Sequence, residues 1–273
     1  MDIKLIAIDI DGTLVDDNKV LREPTKQAIA AARAKGVKVV LCTGRPISGA
    51  EKYIDELSIT GADEYVITFN GASVQDANGK VIANHTLTYD DFVDTEALSR
   101  KFGVNYQFEN TEAIVALNRD LSRHSVYEST IVRLPIQFRT PEEIKPDVSI
   151  TKGMLIGTPE QITNAKEQMP KAISDRLYVV QTEPFFLEFL HKDISKGNAL
   201  KELSAKLDLK PENIMAIGDQ GNDLSMIKFA GLGVAMGNAI EDNKAAAQFV
   251  TKRNVDDGVA YAINKFVNNP DAD

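Results

Sequence analysis

The chain has 273 residues, 43% of them hydrophobic and 26% charged, which is enough apolar material for one large core or two modest ones. Forty acidic residues against 31 basic ones give a net charge of −9, which argues against nucleic acid or an anionic membrane as a main partner. Cys42 is the one cysteine, so no internal disulfide can form; with no leader-like start and no run of about 18 apolar residues, the chain reads as cytoplasmic.

In chain order, residues 4–10 read as a buried strand, Leu5-Ile6-Ala7-Ile8, that runs directly into Asp9-Ile10-Asp11-Gly12-Thr13. An alanine-rich helix over 24–35 stops at Gly36. A strand over 37–42 follows, with Cys42 as a packing thiol, and a helix starts after Pro46. Residues 65–70 form a third strand, and Asn78-Gly79 turns a hairpin between 73–76 and 80–83. Short apolar runs separated by helices indicate parallel strands covered on both faces.

Between residues 84 and 189 the pattern changes. Helices over 90–102 and 159–174 alternate with paired strands, 105–108 with 113–118 and 177–182 with 185–190, as in an antiparallel sheet with helices on one face. The first rhythm then returns. A helix over 198–209 leads to a strand over 213–217 ending at Gly218-Asp219; a helix over 224–230, strands at 232–235 and 248–251, and a helix after Asp256 follow. Residues 268–273 read as a fraying tail. Gly231-Leu232-Gly233 fails as a dinucleotide fingerprint because its third glycine would fall on Met236. The fold class is α/β: a Rossmann-like doubly wound parallel sheet from residues 1–83 and 190–273, with an inserted α+β module over 84–189.

Polar clusters fall at the carboxyl ends of the parallel strands, where open α/β sheets bind ligands. They are Asp9 with Asp11, Thr43-Gly44-Arg45, Asn70-Gly71, and Gly218-Asp219 with Asn222-Asp223; Lys196 stands just before a helix. Adjacent buried acids need a cation or proton to compensate them. Asp9 and Asp219 offer hard oxygens to Mg²⁺, Thr43 a hydroxyl, Gly44 a closely approached amide, Lys196 a cation and Asn222 a donor. Asp223 can hold a metal-bound water or fix Lys196, and two acids one residue apart can act as nucleophile and proton donor. Taken singly, each has an ordinary reading: a turn acid, an ion-paired Arg45, a solvated lysine, a capping Asp223. Their convergence on one sheet edge carries the inference.

These residues resemble the motifs of the haloacid dehalogenase-like (HAD) superfamily. Asp9-Ile10-Asp11-Gly12-Thr13 is similar to its first motif, Thr43 to its second, Lys196 to its third and Gly218-Asp219-Gln220-Gly221-Asn222-Asp223 to its fourth. The insertion resembles the C2 cap of the Cof-type (IIB) branch, which includes bacterial sugar phosphatases. The resemblance covers the whole chain, and no motif position departs from the pattern. It implies that Asp9 is a nucleophile forming an aspartyl-phosphate and that Asp11 is the general acid and base. It implies Mg²⁺ held by Asp9, the backbone carbonyl of Asp11, and Asp219, with Asp223 in support. Thr43, Gly44, Lys196, Asn222 and the backbone of Ile10 would hold phosphate, with Arg45, Asn70 and Gly71 assisting. Asp11 must be protonated in the first half-reaction; closeness to Asp9 favours that and Mg²⁺ opposes it, and the sequence leaves the balance open.

The substrate implied is a small phosphorylated metabolite, with sugar phosphates as the leading class, acted on by a monomer or homodimer. Selection among esters falls to the inserted module, with Asn118, Arg119, Arg123, His124 and Glu188 as candidate contacts and hinges near 83–86 and 189–195. His85, His124 and His191 lack metal-ligand spacing. The alternatives are a phosphomutase, a catalytically weak phosphosugar sensor, and a signalling receiver, whose phosphoacceptor would end the third strand where this chain has Asn70.

Overall fold

The run Leu5-Ile6-Ala7-Ile8 has no polar side because its strand is covered on both faces. In the computed structural model, which describes residues 2–270, it forms β1 (Leu5–Asp9), every residue of which is buried. Leu5 and Ala7 enter one apolar cluster while Ile6 and Ile8 enter another, as alternation along a doubly covered strand requires. The chain divides into two compact units. One runs to Ala83 and resumes at Ser195; the other is Asn84–Ile194.

After β1 the first unit contains α1 (Glu23–Ala34), β2 (Lys38–Cys42), α2 (Ile47–Glu56), β3 (Tyr65–Thr68), β4 (Ser73–Asp76) and β5 (Val81–Asn84). The second unit contains α3 (Tyr89–Phe102), β6 (Asn105–Glu109), β7 (Ile114–Ala116), α4 (Arg123–Val132), β8 (Ile136–Phe138) and β9 (Lys152–Ile156). It continues through α5 (Pro159–Glu167), α6 (Lys171–Arg176), β10 (Leu177–Glu183) and β11 (Phe186–His191). The chain returns to the first unit with α7 (Lys196–Lys206), β12 (Ile214–Gly218), α8 (Leu224–Phe229), β13 (Leu232–Ala235), α9 (Glu241–Ala246), β14 (Phe249–Val250) and α10 (Gly258–Ile263).

The first sheet has the order β14-β13-β12-β1-β2-β3-β4-β5. It is parallel from β14 to β3 and turns antiparallel between β3 and β4. One face packs on Ala28, Ile29 and Ala32 of α1, Ala50 and Ile54 of α2, and Val259 and Ile263 of α10; the other packs on Leu200 and Leu203 of α7 and Met226 of α8. This is a doubly wound arrangement in which β1, β2, β3 and β12 lie side by side.

The second sheet has the order β10-β11-β9-β6-β7-β8. The hairpins β6–β7 and β10–β11 are joined through β9, a strand that sequence patterning did not mark. β8 pairs parallel to β7 because α4 intervenes as a crossover, so the sheet is not wholly antiparallel. The helix anticipated over 159–174 is interrupted at Pro170, which becomes the N-cap of α6. Tyr106, Phe108, Leu155, Leu187 and Phe189 face α3 and α5 in one apolar cluster. By alternation Gln107, Glu109, Lys152 and Glu188 point to the opposite face, yet all four are buried.

Among the described residues no helix is long and apolar enough to cross a membrane. Residues 271–273 of the anticipated tail lie outside the described residues, while Asn268, where that tail would begin, donates to the Ala28 carbonyl at 3.0 Å.

Candidate active site

β1 ends at Asp9, only 6% exposed, and β12 delivers Asp219, 3% exposed, from the neighbouring strand. Between them Gly12 turns the chain at φ 80°. A Cβ there would lie 2.5 Å from Asp219 Oδ2, so glycine is required both by the backbone and by the acid packed against it. Lys196 is the first residue of α7, two residues earlier than anticipated, with Ser195 as N-cap accepting from Asn198 N–H at 3.0 Å. Gly71, at φ 101°, admits this helix start, because a Cβ there would lie 2.3 Å from the Ser195 carbonyl oxygen.

Lys196 is fully buried and donates to Asp9 Oδ1 at 2.5 Å and to Asp223 Oδ1 at 2.6 Å. Asp223 Oδ2 accepts the backbone N–H groups of Asp219 at 2.9 Å and Gln220 at 3.0 Å. Asp223 therefore fixes both Lys196 and the loop carrying Asp219. Thr13 donates to Asp219 Oδ1 at 2.9 Å, and Gln220 Nε2 to Oδ2 at 3.2 Å.

Asp9, Asp219 and Asp223 each present an oxygen within 4.8 Å of the other two. Three carboxylates around one ammonium leave excess negative charge in a buried space. Burial, then the charge of Asp223, pushes the Asp9 carboxyl well above its usual range, against the pull of Lys196. The same two causes raise Asp219. Burial alone would lower Lys196, but Asp223 and Asp9 hold it above its usual value. A hard cation between the acids would relieve this repulsion, and the all-oxygen donor set fits one.

A second set joins through Asn70. Thr43, 1% exposed, accepts from Arg45 N–H at its hydroxyl and from Asn70 N–H at its carbonyl. Asn70 adopts a left-handed conformation after β3, and its Oδ1 accepts from Asn222 Nδ2 at 2.9 Å. Gly44 abuts the same side chain, since a Cβ there would lie 3.1 Å from Asn70 Oδ1. Ile10 buries its side chain in the core.

Asp11 stands apart from the acids. Its carboxylate is forked by Arg45, with Nε 2.9 Å from Oδ2 and Nη2 2.7 Å from Oδ1, and Lys19 Nζ also reaches Oδ1 at 2.7 Å. Partial burial would raise its pKa, but these hydrogen bonds and charges outweigh burial and hold it below the ordinary value. Arg45 and Lys19 thus favour the ionised form of Asp11, whereas the first half-reaction requires the protonated one.

Cys42 is buried, and burial pushes its thiol up to about 12, as suits packing rather than reaction. Thr13, Gln220, Asn238 and Lys19 were not singled out from sequence. Thr13 and Gln220 sit inside the quoted motifs and Asn238 follows a parallel strand, so the strand-end rule could have found them; nothing local marked Lys19.

In the second unit, Asn118 Oδ1 accepts from Tyr106 N–H at 2.8 Å. Glu188 is buried, bonded to Lys152 Nζ at 3.1 Å and Thr182 Oγ1 at 3.0 Å. Arg119 and Arg123 are exposed, and His124 stacks on Phe185 with ring centroids 3.9 Å apart. Among the described residues the histidines join no metal-type cluster.

The sequence matches the family of haloacid dehalogenase-like hydrolases over residues 6–263. YxeH of Bacillus subtilis (strain 168), provisionally named a phosphatase, is 43% identical over 265 residues, covering 97% of this chain and 98% of its own. The crystal structure of a haloacid dehalogenase-like hydrolase from Bacteroides thetaiotaomicron superposes with a TM-score of 0.87 at 28% identity, covering 97% of this chain and 99% of its own. The HAD subclass IIB sugar phosphatase BT4131 superposes at 0.78 with 27% identity, covering 96% and 98%. The Rossmann-like sheet, the inserted unit and a family match across nearly the whole chain agree: the protein belongs to the haloacid dehalogenase-like hydrolases and is a phosphatase of that family.

Proposed function

We propose that the chain is a Mg²⁺-dependent phosphatase of small phosphorylated metabolites, with sugar phosphates the leading class, working through an aspartyl-phosphate on Asp9. The observation that carries this reading is the meeting of Asp9, Asp219, Asp223 and Lys196, from β1, β12, a following turn and α7, in one buried space. The likeness to a subclass IIB sugar phosphatase supports the substrate class.

Mg²⁺, held by Asp9, the Asp11 backbone carbonyl and Asp219, would supply positive charge that lets a carboxylate approach an anionic phosphoryl group. Asp9 attacks phosphorus as the ester P–O bond breaks, and the bonding pair leaves on the alcohol oxygen with a proton from Asp11. A water then attacks the phosphoryl group, Asp11 takes its proton, and phosphate departs from a regenerated Asp9. Lys196, Thr43, Gly44, Asn222 and the Ile10 backbone hold the phosphoryl oxygens; Arg45, Asn70, Gly71 and Asp223 position them. The contacts of Asp11 with Arg45 and Lys19 suit the base step and oppose the acid step. Substrate binding must therefore loosen that grip before the first proton moves.

The inserted unit selects among esters, with the exposed Arg119 and Arg123 and the half-buried His124 as its candidate contacts, whereas Glu188 is held inside the unit by Lys152 and Thr182. The acidic charge fits a cytoplasmic enzyme without nucleic-acid or membrane partners. The test is phosphate release across a panel of phosphorylated metabolites, with Mg²⁺ and with chelator. The proposal expects metal-dependent release that is greatest for sugar phosphates. Phosphoryl return to sugar without free phosphate would make the protein a mutase, and a flat, metal-indifferent panel would overturn the reading.

A further inference from the structure

We propose that Asn238 is a positioning residue: it sets the divalent-cation affinity of the Asp9–Asp219 pair by bracing Asp219 against the turn that follows Asp9. The inference rests on the metal reading above and adds a residue from outside its motifs.

Asp9 ends β1 and Asp219 follows β12, so the gap between them depends on what bridges the loops beyond these strands. Asn238 follows β13, on the far side of β12 from β1. Its amide is oriented from behind, because Oδ1 accepts the Asn254 backbone N–H at 2.9 Å. That leaves Nδ2 2.8 Å from the Gly12 carbonyl oxygen and 3.5 Å from Asp219 Oδ2. Gly12 is the residue whose missing side chain lets Asp219 pack against the turn. One amide therefore bonds the turn and borders the carboxylate lying on it.

Two neighbours make this a brace rather than a lone contact. Ile240 donates its backbone N–H to the Asp219 carbonyl at 3.0 Å, so the same short segment holds Asp219 by its main chain. Asn254, 6% exposed, donates to the Val15 carbonyl at 3.1 Å and to Asp17 Oδ1 at 3.0 Å, tying down the far end of the turn. Thr13 holds the other oxygen of Asp219 from the nucleophile's own loop. Asp219 is thus fixed from both sides before any ion arrives. Mg²⁺ demands near-ideal octahedral placement of its ligands, so a carboxylate free to drift binds it more weakly. Outer hydrogen-bond partners of metal ligands are commonly worth about 10- to 100-fold in affinity or activity.

The experiment is calorimetric titration of Mg²⁺ into the full chain without substrate, with thermal midpoints measured on the same preparations. Asn238→Ala is expected to weaken Mg²⁺ binding about 10-fold. Asn238→Ser is expected to do the same, because its hydroxyl is too short to reach the Gly12 carbonyl; it serves if the alanine variant fails to fold. Thr95→Ala removes a buried contact with the Tyr106 hydroxyl, at 2.9 Å in the second unit, and should lower the midpoint while leaving Mg²⁺ affinity unchanged. Wild-type affinity in the Asn238 variants, or an equal loss in Thr95→Ala, overturns the positioning role alone. A wild-type protein that takes up no Mg²⁺ overturns both this inference and the metal reading beneath it.

Discussion

Lys196 in the first unit and Lys152 in the second are both buried amid three carboxylates. Lys196 contacts Asp9 and Asp223, with Asp219 beside them; Lys152 lies 3.4 Å from Glu109, 3.2 Å from Glu128 and 3.1 Å from Glu188. The charge composition is the same, but the geometry is not. In the first unit the acids stand at or just beyond strand ends, their oxygens converge, and backbone N–H groups or Thr13 fix each supporting carboxylate. In the second, the lysine occupies the centre, α4 supplies Glu128 over the sheet face, and both oxygens of Glu109 lack a hydrogen-bond donor. Burial pushes Glu109 up to about 8 despite Lys152. A closed cluster relieves surplus negative charge by keeping a proton, whereas a cluster at the ligand edge of a parallel sheet can relieve it with a cation. Placement, rather than residue type, separates the two.

Removing each lysine would sharpen the contrast most. Lys196→Met should reduce phosphate release by about 10³-fold or more and destabilise the fold by about 3–5 kcal/mol, because it strands buried carboxylates. Lys152→Met should cost similar stability, read by denaturant unfolding, while turnover of a small aryl phosphate per folded molecule stays within about 3-fold. If both variants lose turnover equally, the two clusters do not differ in kind.

A smaller effect concerns pH. Glu109 in the folded chain keeps its proton up to about pH 8, whereas an ordinary glutamate loses it near 4.5. Across that interval the folded state binds more protons than the unfolded state, so stability falls as pH rises and levels off above it. Glu109→Gln should remove this slope. Its thermal midpoint should match the wild type near pH 5 and exceed it by about 2 °C or more near pH 9. Parallel profiles for the two proteins would mean that Glu128, Glu188 and Lys152 settle the charge without Glu109.

The contrast also explains what the sequence could reveal. Strand ends in an open parallel sheet are a positional rule, so Asp9, Thr43, Asn70 and Asp219 could be placed together from apolar runs alone. Asn238 obeys the same rule after β13 but carries no signal of its own, because Met236-Gly237-Asn238 contains no acid or base. Alternation puts Glu188 on the face opposite Phe189, but nothing in the spacing shows that Lys152 and α4 cover that side. The α4 segment, Arg123-His124-Ser125-Val126-Tyr127, carries no clean apolar stripe, and Val126 and Tyr127 are in fact exposed, so periodicity was silent there. Nor could spacing show that Lys19, in an exposed turn, would join Arg45 on Asp11.

If Asp9 is the nucleophile, the phosphoryl group must pass through the carboxylate that ends β1. Acid-quenching the enzyme during turnover and weighing its peptides tests this most directly. One phosphoryl group is expected on Asp9, absent in Asp9→Asn, with turnover lost in that variant. A phosphoryl group on any other residue, or wild-type turnover in Asp9→Asn, would contradict it.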